Sequence, residues 1–271
     1  MEMITTMSKI ARQAGAAILT IYNEDDFGVQ VKDDDSPLTR ADLAAHRIIV
    51  DSLSAALPDI PILSEESGGI SWSERSAWDR YFLVDPLDGT KEFINRNGEF
   101  TVNIALIEAG VPVKGVVYVP VLDVLYTGDQ QLGRATIERD GVMTEIGVRA
   151  LDDDKPLVIV ASRRHGGEAL QKCLDVLQQR FADIDTTNMG SSLKLCLVAE
   201  GKADLYPRLA PTSEWDTAAA HAVVEAAGGR VVDTDLNDLR YNQKEDILNP
   251  FFYVIADRDY DWPGILKDVE R

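Results

Sequence analysis

The strongest constraint on the fold of this chain is a series of closely spaced β patterns in its first half. A compact apolar run, Tyr81-Phe82-Leu83-Val84, ends in Asp85-Pro86, and alternating segments follow at 101–107, 113–119 and 124–127. Period-two alternation of this kind predicts a meandering, largely antiparallel sheet. Ahead of it, Met7, Ile10, Ala11, Ala14, Ile18 and Ile21 recur at three- and four-residue steps, and residues 41–57 repeat the spacing. Two amphipathic helices are expected there. Between them, residues 27–32 alternate like a short strand, and Asp33-Asp34-Asp35-Ser36-Pro37 reads as a turn with solvated aspartates.

A polar break, Asp152-Asp153-Asp154-Lys155-Pro156, separates this half from one in which helix and strand alternate. Strands are expected at 157–161, 203–206 and 251–256, and helices at 168–180, 191–199 and 217–227, the last closed by Gly228-Gly229. The expected organisation is an α+β half over residues 1–150 and an α/β half over residues 151–271. A chain of 271 residues has length for one large domain or two closely packed ones.

Charge narrows the partners. With 46 acidic residues against 27 Lys and Arg, the net charge of -19 repels nucleic-acid duplexes and anionic membrane surfaces. It also repels a phosphorylated small molecule, unless bound cations or focused Lys and Arg invert the field at the site. The two cysteines, Cys173 and Cys196, sit in apolar helical segments without metal-ligand spacing, as core thiols. Residues 1–22 are interrupted by Glu2, Lys9, Arg12 and Gln13, so neither a signal peptide nor a membrane span is expected, and a reducing cytoplasm is the expected location. No pattern specifies an oligomer.

The chemistry concentrates in carboxylates. In Asp85-Pro86-Leu87-Asp88-Gly89-Thr90, Pro86 fixes its own φ and Gly89 permits a tight turn, so two carboxylates can converge on one side of a bend. Hard cations such as Mg²⁺ take oxygen ligands, which paired aspartates supply. A capped turn with no ligand is the blander alternative. Ile62-Leu63-Ser64-Glu65-Glu66-Ser67 puts two more carboxylates at the end of an apolar run, and Glu214-Trp215-Asp216-Thr217 opens a helix. Asp216 taken alone would be a helix cap.

Taken together and in order, these three segments resemble the inositol monophosphatase superfamily. Ser36-Pro37-Leu38-Thr39-Arg40-Ala41-Asp42, the extension Lys91-Glu92-Phe93-Ile94, residues 97–106, Gly190-Ser191-Ser192-Leu193-Lys194 and Trp215-Asp216-Thr217-Ala218-Ala219 are most similar to its 3'(2'),5'-bisphosphate nucleotidase branch. The likeness covers almost the whole chain and is weakest at 68–79, at 130–154 and after Asp257.

The resemblance implies a layered αβαβα sandwich and a magnesium-dependent phosphomonoesterase with two to three Mg²⁺ per site. It implies one metal on Glu65, Asp85 and the carbonyl of Leu87, a second on Asp85, Asp88 and Asp216, and a weaker third assisted by Asp42. Thr90 and Asp42 would form the water-activating pair, although Thr90 could equally cap a helix. Gly89, Thr90, His165, Gly190, Ser191, Ser192, Lys194 and Arg208 would surround the substrate. Read blandly, Ser191 or Ser192 is a cap, Arg208 a surface ion pair and His165 a loop residue. The implied reaction converts adenosine 3',5'-bisphosphate to AMP and phosphate, clearing a by-product of sulfate assimilation in the cytoplasm, with the cytoplasmic face of the inner membrane as a peripheral location. Inositol monophosphatase or a related sugar phosphatase is the alternative enzyme. A catalytically silent nucleotide- or phosphoinositide-binding module would carry a damaged ligand set, and none of Asp42, Glu65, Asp85, Asp88, Thr90 or Asp216 is replaced.

Overall fold

The computed structural model describes residues 2–32, 37–152, 154–161, 167–267 and 269. The first half runs α1 (Glu2–Tyr22), β1 (Gln30–Val31), β2 (Pro37–Leu38), α2 (Arg40–Ala56), β3 (Ile62–Ser64), α3 (Trp72–Arg75), β4 (Arg80–Asp88), α4 (Thr90–Ile94), β5 (Thr101–Glu108), β6 (Val111–Val119), β7 (Val124–Asp129), β8 (Arg134–Arg139) and β9 (Val142–Ile146). The second runs β10 (Leu157–Ala161), α5 (Glu168–Arg180), β11 (Ile184–Asn188), α6 (Leu193–Ala199), β12 (Leu205–Arg208), α7 (Glu214–Ala226), β13 (Arg230–Asp233), β14 (Phe252–Ile255) and α8 (Trp262–Leu266).

Strands β3 to β9 form one sheet in sequence order, antiparallel throughout except for the parallel β3–β4 pair. The second sheet has the order β11-β10-β12-β14-β13 and is mixed. Alternation along the strands sorts their side chains into two cores. Phe82, Val84, Ile104, Leu106 and Val116 pack with Ile10, Ala14, Ile18, Ala45 and Ile49 of α1 and α2. Tyr81, Leu83, Ala105, Ile107 and Val117 face the other way, toward α6 and α7. A third core, with Leu157, Ile159, Cys173, Leu177 and Trp262, lies between the second sheet and α5 and α8. The layers are therefore helix, sheet, helix, sheet, helix, as the resemblance implies.

Helix α7 fits between the sheets because its partners lack side chains. Gly115 and Gly128 stand opposite each other in β6 and β7. A Cβ on Gly115 would lie 2.0 Å from Ala219 O, and one on Gly128 would lie 2.5 Å from Ala222 O. The alanines of α7 meet bare strand backbone there, which fixes the height of the helix above the sheet.

Several elements differ from the sequence expectation. The strand expected over 27–32 is confined to Gln30–Val31, and residues 33–36 lie outside the described residues. The apolar run at 81–84 does not end at Asp85; β4 continues through Pro86 to Asp88. Helix α7 begins at Glu214, three residues earlier than its small-residue pattern. Strands β2, β8, β9, β11 and β13 lie outside the expected set, β2 beginning at Pro37, where a turn is expected. β9 is exposed along most of its length and β11 is a half-exposed Ile-Asp-Thr-Thr-Asn edge, so neither carries alternation. Backbone pairing forms them.

Candidate metal centre

Residues three apart on a regular strand point to opposite faces. Asp85 and Asp88 escape that rule through a bulge. Asp85 pairs with Asn103 and Asp88 with Thr101, so β4 spends one residue more than β5 between the two pairs. The extra residue turns Asp88 back to the face that carries Asp85. Pro86, which has no N–H to donate, sits inside the bulge at no cost to the ladder. Both carboxylates then face α7, whose third residue is Asp216.

The oxygens of Asp85, Asp88 and Asp216 come within 4.8 Å of one another, close enough to share a cation. Each is held from outside the cluster. Leu87 N–H donates to Asp85 Oδ1 at 3.0 Å, Ser213 N–H to Asp216 Oδ2 at 2.9 Å, and Ser192 N–H to Asp88 Oδ2 at 2.5 Å. Burial raises the pKa of Asp85 and Asp216 well above the usual carboxylate range, and mutual repulsion with Asp88 and Glu65 adds to it. Asp88 is pushed up to about 6 by burial, with Lys194 and the Ser192 N–H opposing. One buried and two half-buried carboxylates that repel one another form an all-oxygen donor set suited to a hard divalent cation.

Glu65 follows β3. Its N–H donates to Val84 O at 3.0 Å, which brings it to the same end of the sheet as Asp85. Lys32 Nζ bridges Glu65 Oε1 at 2.7 Å and Glu66 Oε1 at 2.5 Å. Leu87 keeps its side chain in the core while its carbonyl accepts from Thr90 Oγ1 at 3.4 Å. Asp42 is the third residue of α2 and forms a capping box with Thr39, whose N–H and hydroxyl donate to Oδ2 at 2.8 and 2.5 Å. The other oxygen, Oδ1, accepts from Thr90 Oγ1 at 3.2 Å. Burial raises the pKa of Asp42.

A cleft opens beside Asp88 and Asp216, lined by Lys91, Ser191, Lys194 and Arg208. Gly89 stands before α4 at φ 92°, where a Cβ would come within 3.2 Å of Glu99 O. Gly190 N–H donates to Glu99 Oε2 at 2.7 Å. Lys194 is only 7% exposed, donates to the carbonyls of Ser191 and Met189, and is lowered to about 8 by burial, with Asp88 opposing. Ser191 Oγ and Arg208 Nε are buried without a hydrogen-bond partner. Ser192 instead turns inward, its hydroxyl between Asn103 and Thr101 at 2.9 Å each. His165 lies outside the described residues.

Sequence reasoning missed Asn103, Thr101 and Lys32. Asn103 and Thr101 were legible as polar residues on the inward face of an apolar strand, where burial demands partners. Thr39 was equally legible as the first residue of a Thr-x-x-Asp capping pattern. Lys32 carried no signal.

Comparison with known proteins places these residues in a wider context. Residues 1–260 match the inositol monophosphatase family. The 3'(2'),5'-bisphosphate nucleotidase CysQ of Salmonella typhimurium is 51% identical over 253 residues, which cover 93% of this chain and 99% of the relative. The protein of the same name from Escherichia coli K12 is 50% identical with the same coverage. Among solved structures, CysQ from Bacteroides thetaiotaomicron superposes with a TM-score of 0.84 at 43% identity, covering 95% of this chain and 98% of that one.

Proposed function

The chain belongs to the inositol monophosphatase family, and from that premise we propose that it is a magnesium-dependent 3'(2'),5'-bisphosphate nucleotidase that hydrolyses adenosine 3',5'-bisphosphate to AMP and phosphate. The observation that carries the reading is the cluster of buried Asp85 with half-buried Asp88 and Asp216 next to a cleft that holds Lys194 and Arg208. Half-identity over nearly the whole length to nucleotidases named for this reaction supports the substrate class.

Asp85, Asp88 and Asp216 would hold one Mg²⁺, and Asp85 with Glu65 and the Leu87 carbonyl a second; Asp42 would assist a third. Bound there, such cations neutralise phosphoryl charge and lower the pKa of a coordinated water. The protein's own groups do the rest. Thr90 Oγ1 donates to Asp42, which leaves its lone pairs to accept from a water and gives the proton a route to a carboxylate. The buried, raised-pKa Asp42 is suited to take that proton. The free N–H groups at the start of α4, after Gly89, are available to phosphate oxygens.

The second phosphate of a bisphosphate needs donors beyond the metals, and the unpartnered Ser191 Oγ and Arg208 Nε, with Lys194, supply them from the cleft. Gly190 and Ser192 would shape this pocket, Ser192 by fixing Asp88. We place the enzyme in the cytoplasm, a location supported by two buried, unpaired thiols, and its reaction in the clearance of a sulfate-assimilation by-product. None of the described helices is long and apolar enough to cross a membrane.

Asp85→Asn and Asp88→Asn test the reading. Each is expected to abolish turnover of adenosine 3',5'-bisphosphate at saturating Mg²⁺ with the fold retained by circular dichroism. Near-normal turnover in either variant contradicts the metal assignment.

A further inference from the structure

The segment between Arg240 and Pro250 buries polar side chains that gain little from leaving water. Asn242 and Asn249 are 8% and 7% exposed, so their partners matter. The segment crosses the start of α7: Glu214 N–H donates to Ile247 O at 2.9 Å, Asn249 N–H donates to Thr212 O at 2.8 Å, and Ser213 bridges Leu248. Asn249 Nδ2 adds bonds to Ser213 O at 2.8 Å and to Thr217 Oγ1 at 3.1 Å. Ser213 is the residue whose N–H holds Asp216. Asn249 thus grips, from the carbonyl side, the peptide segment that orients the carboxylate.

Asn242 ties the same turn to the other half of the molecule. At φ 56° it occupies the left-handed region that asparagine tolerates. There its N–H reaches both carboxylate oxygens of Glu214, at 3.0 and 2.9 Å. Its amide exchanges two hydrogen bonds with Arg75: Arg75 Nη1 donates to Asn242 Oδ1 and Asn242 Nδ2 donates to Arg75 O, each at 2.6 Å. Arg75 ends α3, in the segment that follows Glu65, and is itself buried. One strap therefore joins the turn carrying Asp216 to the segment that follows Glu65.

We propose that Asn242 and Asn249 are positioning residues for the metal centre, holding Asp216 in register with the first-half carboxylates without touching metal or substrate. The inference rests on the reading of Asp216 as a metal ligand. Groups hydrogen-bonded directly to a ligand change metal affinity by about 10–100-fold when lost; Asn249 acts one residue further out, through Ser213, and Asn242 through Glu214 and Arg75, so their loss is expected to cost no more than the low end of that range.

The test is calorimetric titration of Mg²⁺ alone into the metal-stripped, full-length wild type, Asn249→Ala, Asn242→Gly and a core control, Leu177→Val. Asn242→Gly keeps the left-handed backbone and the N–H to Glu214 and deletes only the pairing with Arg75. Each strap variant is expected to bind Mg²⁺ more weakly, by up to about tenfold, and to need correspondingly more Mg²⁺ for half-maximal activity, with kcat restored at saturation. Leu177→Val is expected to lower the melting temperature without moving Mg²⁺ affinity. If Asn249→Ala does not fold, Asn242→Gly decides alone. Wild-type Mg²⁺ affinity in the strap variants, or an equal shift in the core control, overturns the proposal. A wild type that takes up no Mg²⁺ overturns the metal reading beneath it, and the proposal with it.

Discussion

Thr90 Oγ1 lies 3.2 Å from Asp42 Oδ1, joining the turn after β4 to the first turn of α2. Thr39 saturates the other oxygen of Asp42 with two donors, so Oδ1 is the atom left to handle a proton. Thr90→Ala should therefore lower kcat about 10²–10⁴-fold with a smaller effect on KM, the range for loss of a group acting on a transferred proton. Thr90→Ser, which keeps the hydroxyl, should be milder. The structure removes the capping alternative, since Gly89 is the N-cap and the Thr90 hydroxyl only donates; a variant whose KM alone changes would assign Thr90 to holding the ester rather than to the proton path.

The metal-free protein should be stabilised by acid. The folded-state pKa of Asp88 is raised to about 6, and those of Asp85 and Asp216 are also raised. The folded state then binds more protons than the unfolded one. This stability is fully present below the unfolded carboxylate pKa and is lost as pH rises through the folded value. Melting of stripped protein should move upward from pH 7.5 to 5.5, and saturating Mg²⁺ should flatten that dependence. Asp88→Asn should raise the melting temperature of the stripped protein at pH 7.5.

Lys194→Ala and Arg208→Ala should weaken use of adenosine 3',5'-bisphosphate far more than use of a small monophosphate. Charge-assisted hydrogen bonds of this kind contribute about 1.5–3 kcal/mol each, a tenfold effect or more on kcat/KM. Because burial lowers Lys194 to about 8, kcat/KM for the bisphosphate should fall as pH rises through that value, and the fall should be absent in Lys194→Ala. Equal losses on both substrates would assign the two cations to the fold or the metals.

Gly128→Ala should destabilise by at least about 1–3 kcal/mol, because the new methyl meets α7 backbone that cannot swing aside. The displaced helix carries Asp216, so the Mg²⁺ concentration for half-maximal activity should rise as well. Denaturant unfolding and a Mg²⁺ titration check the two effects separately.

The sequence made much of this arrangement legible. The three-four spacing in α1 and α2 reported real burial, because each helix shows one face to a core, whereas β5 and β6 were legible as apolar runs because both of their faces are buried, one in each of two cores. The aspartates at 85 and 88 and the Trp-Asp at 215 and 216 were legible as strings. Their convergence was expected from a tight turn at Gly89, but its actual cause, a bulge inside β4, is visible only in the pairing of β4 with β5. Strands β9 and β11 escaped because edge strands need not bury a face. The strap escaped because Asn242 and Asn249 sit in a polar stretch that resembles an ordinary loop until their partners, Arg75 and Ser213, are brought beside them.

Phosphate release from adenosine 3',5'-bisphosphate and from an inositol monophosphate, measured side by side with stripped protein before and after Mg²⁺ is restored, separates metal-dependent nucleotidase chemistry from its alternatives. No turnover without metal, and Mg²⁺-dependent turnover that strongly favours the bisphosphate and yields AMP, is the predicted result. Turnover that survives metal removal, or equal or greater activity on the inositol ester, would contradict it.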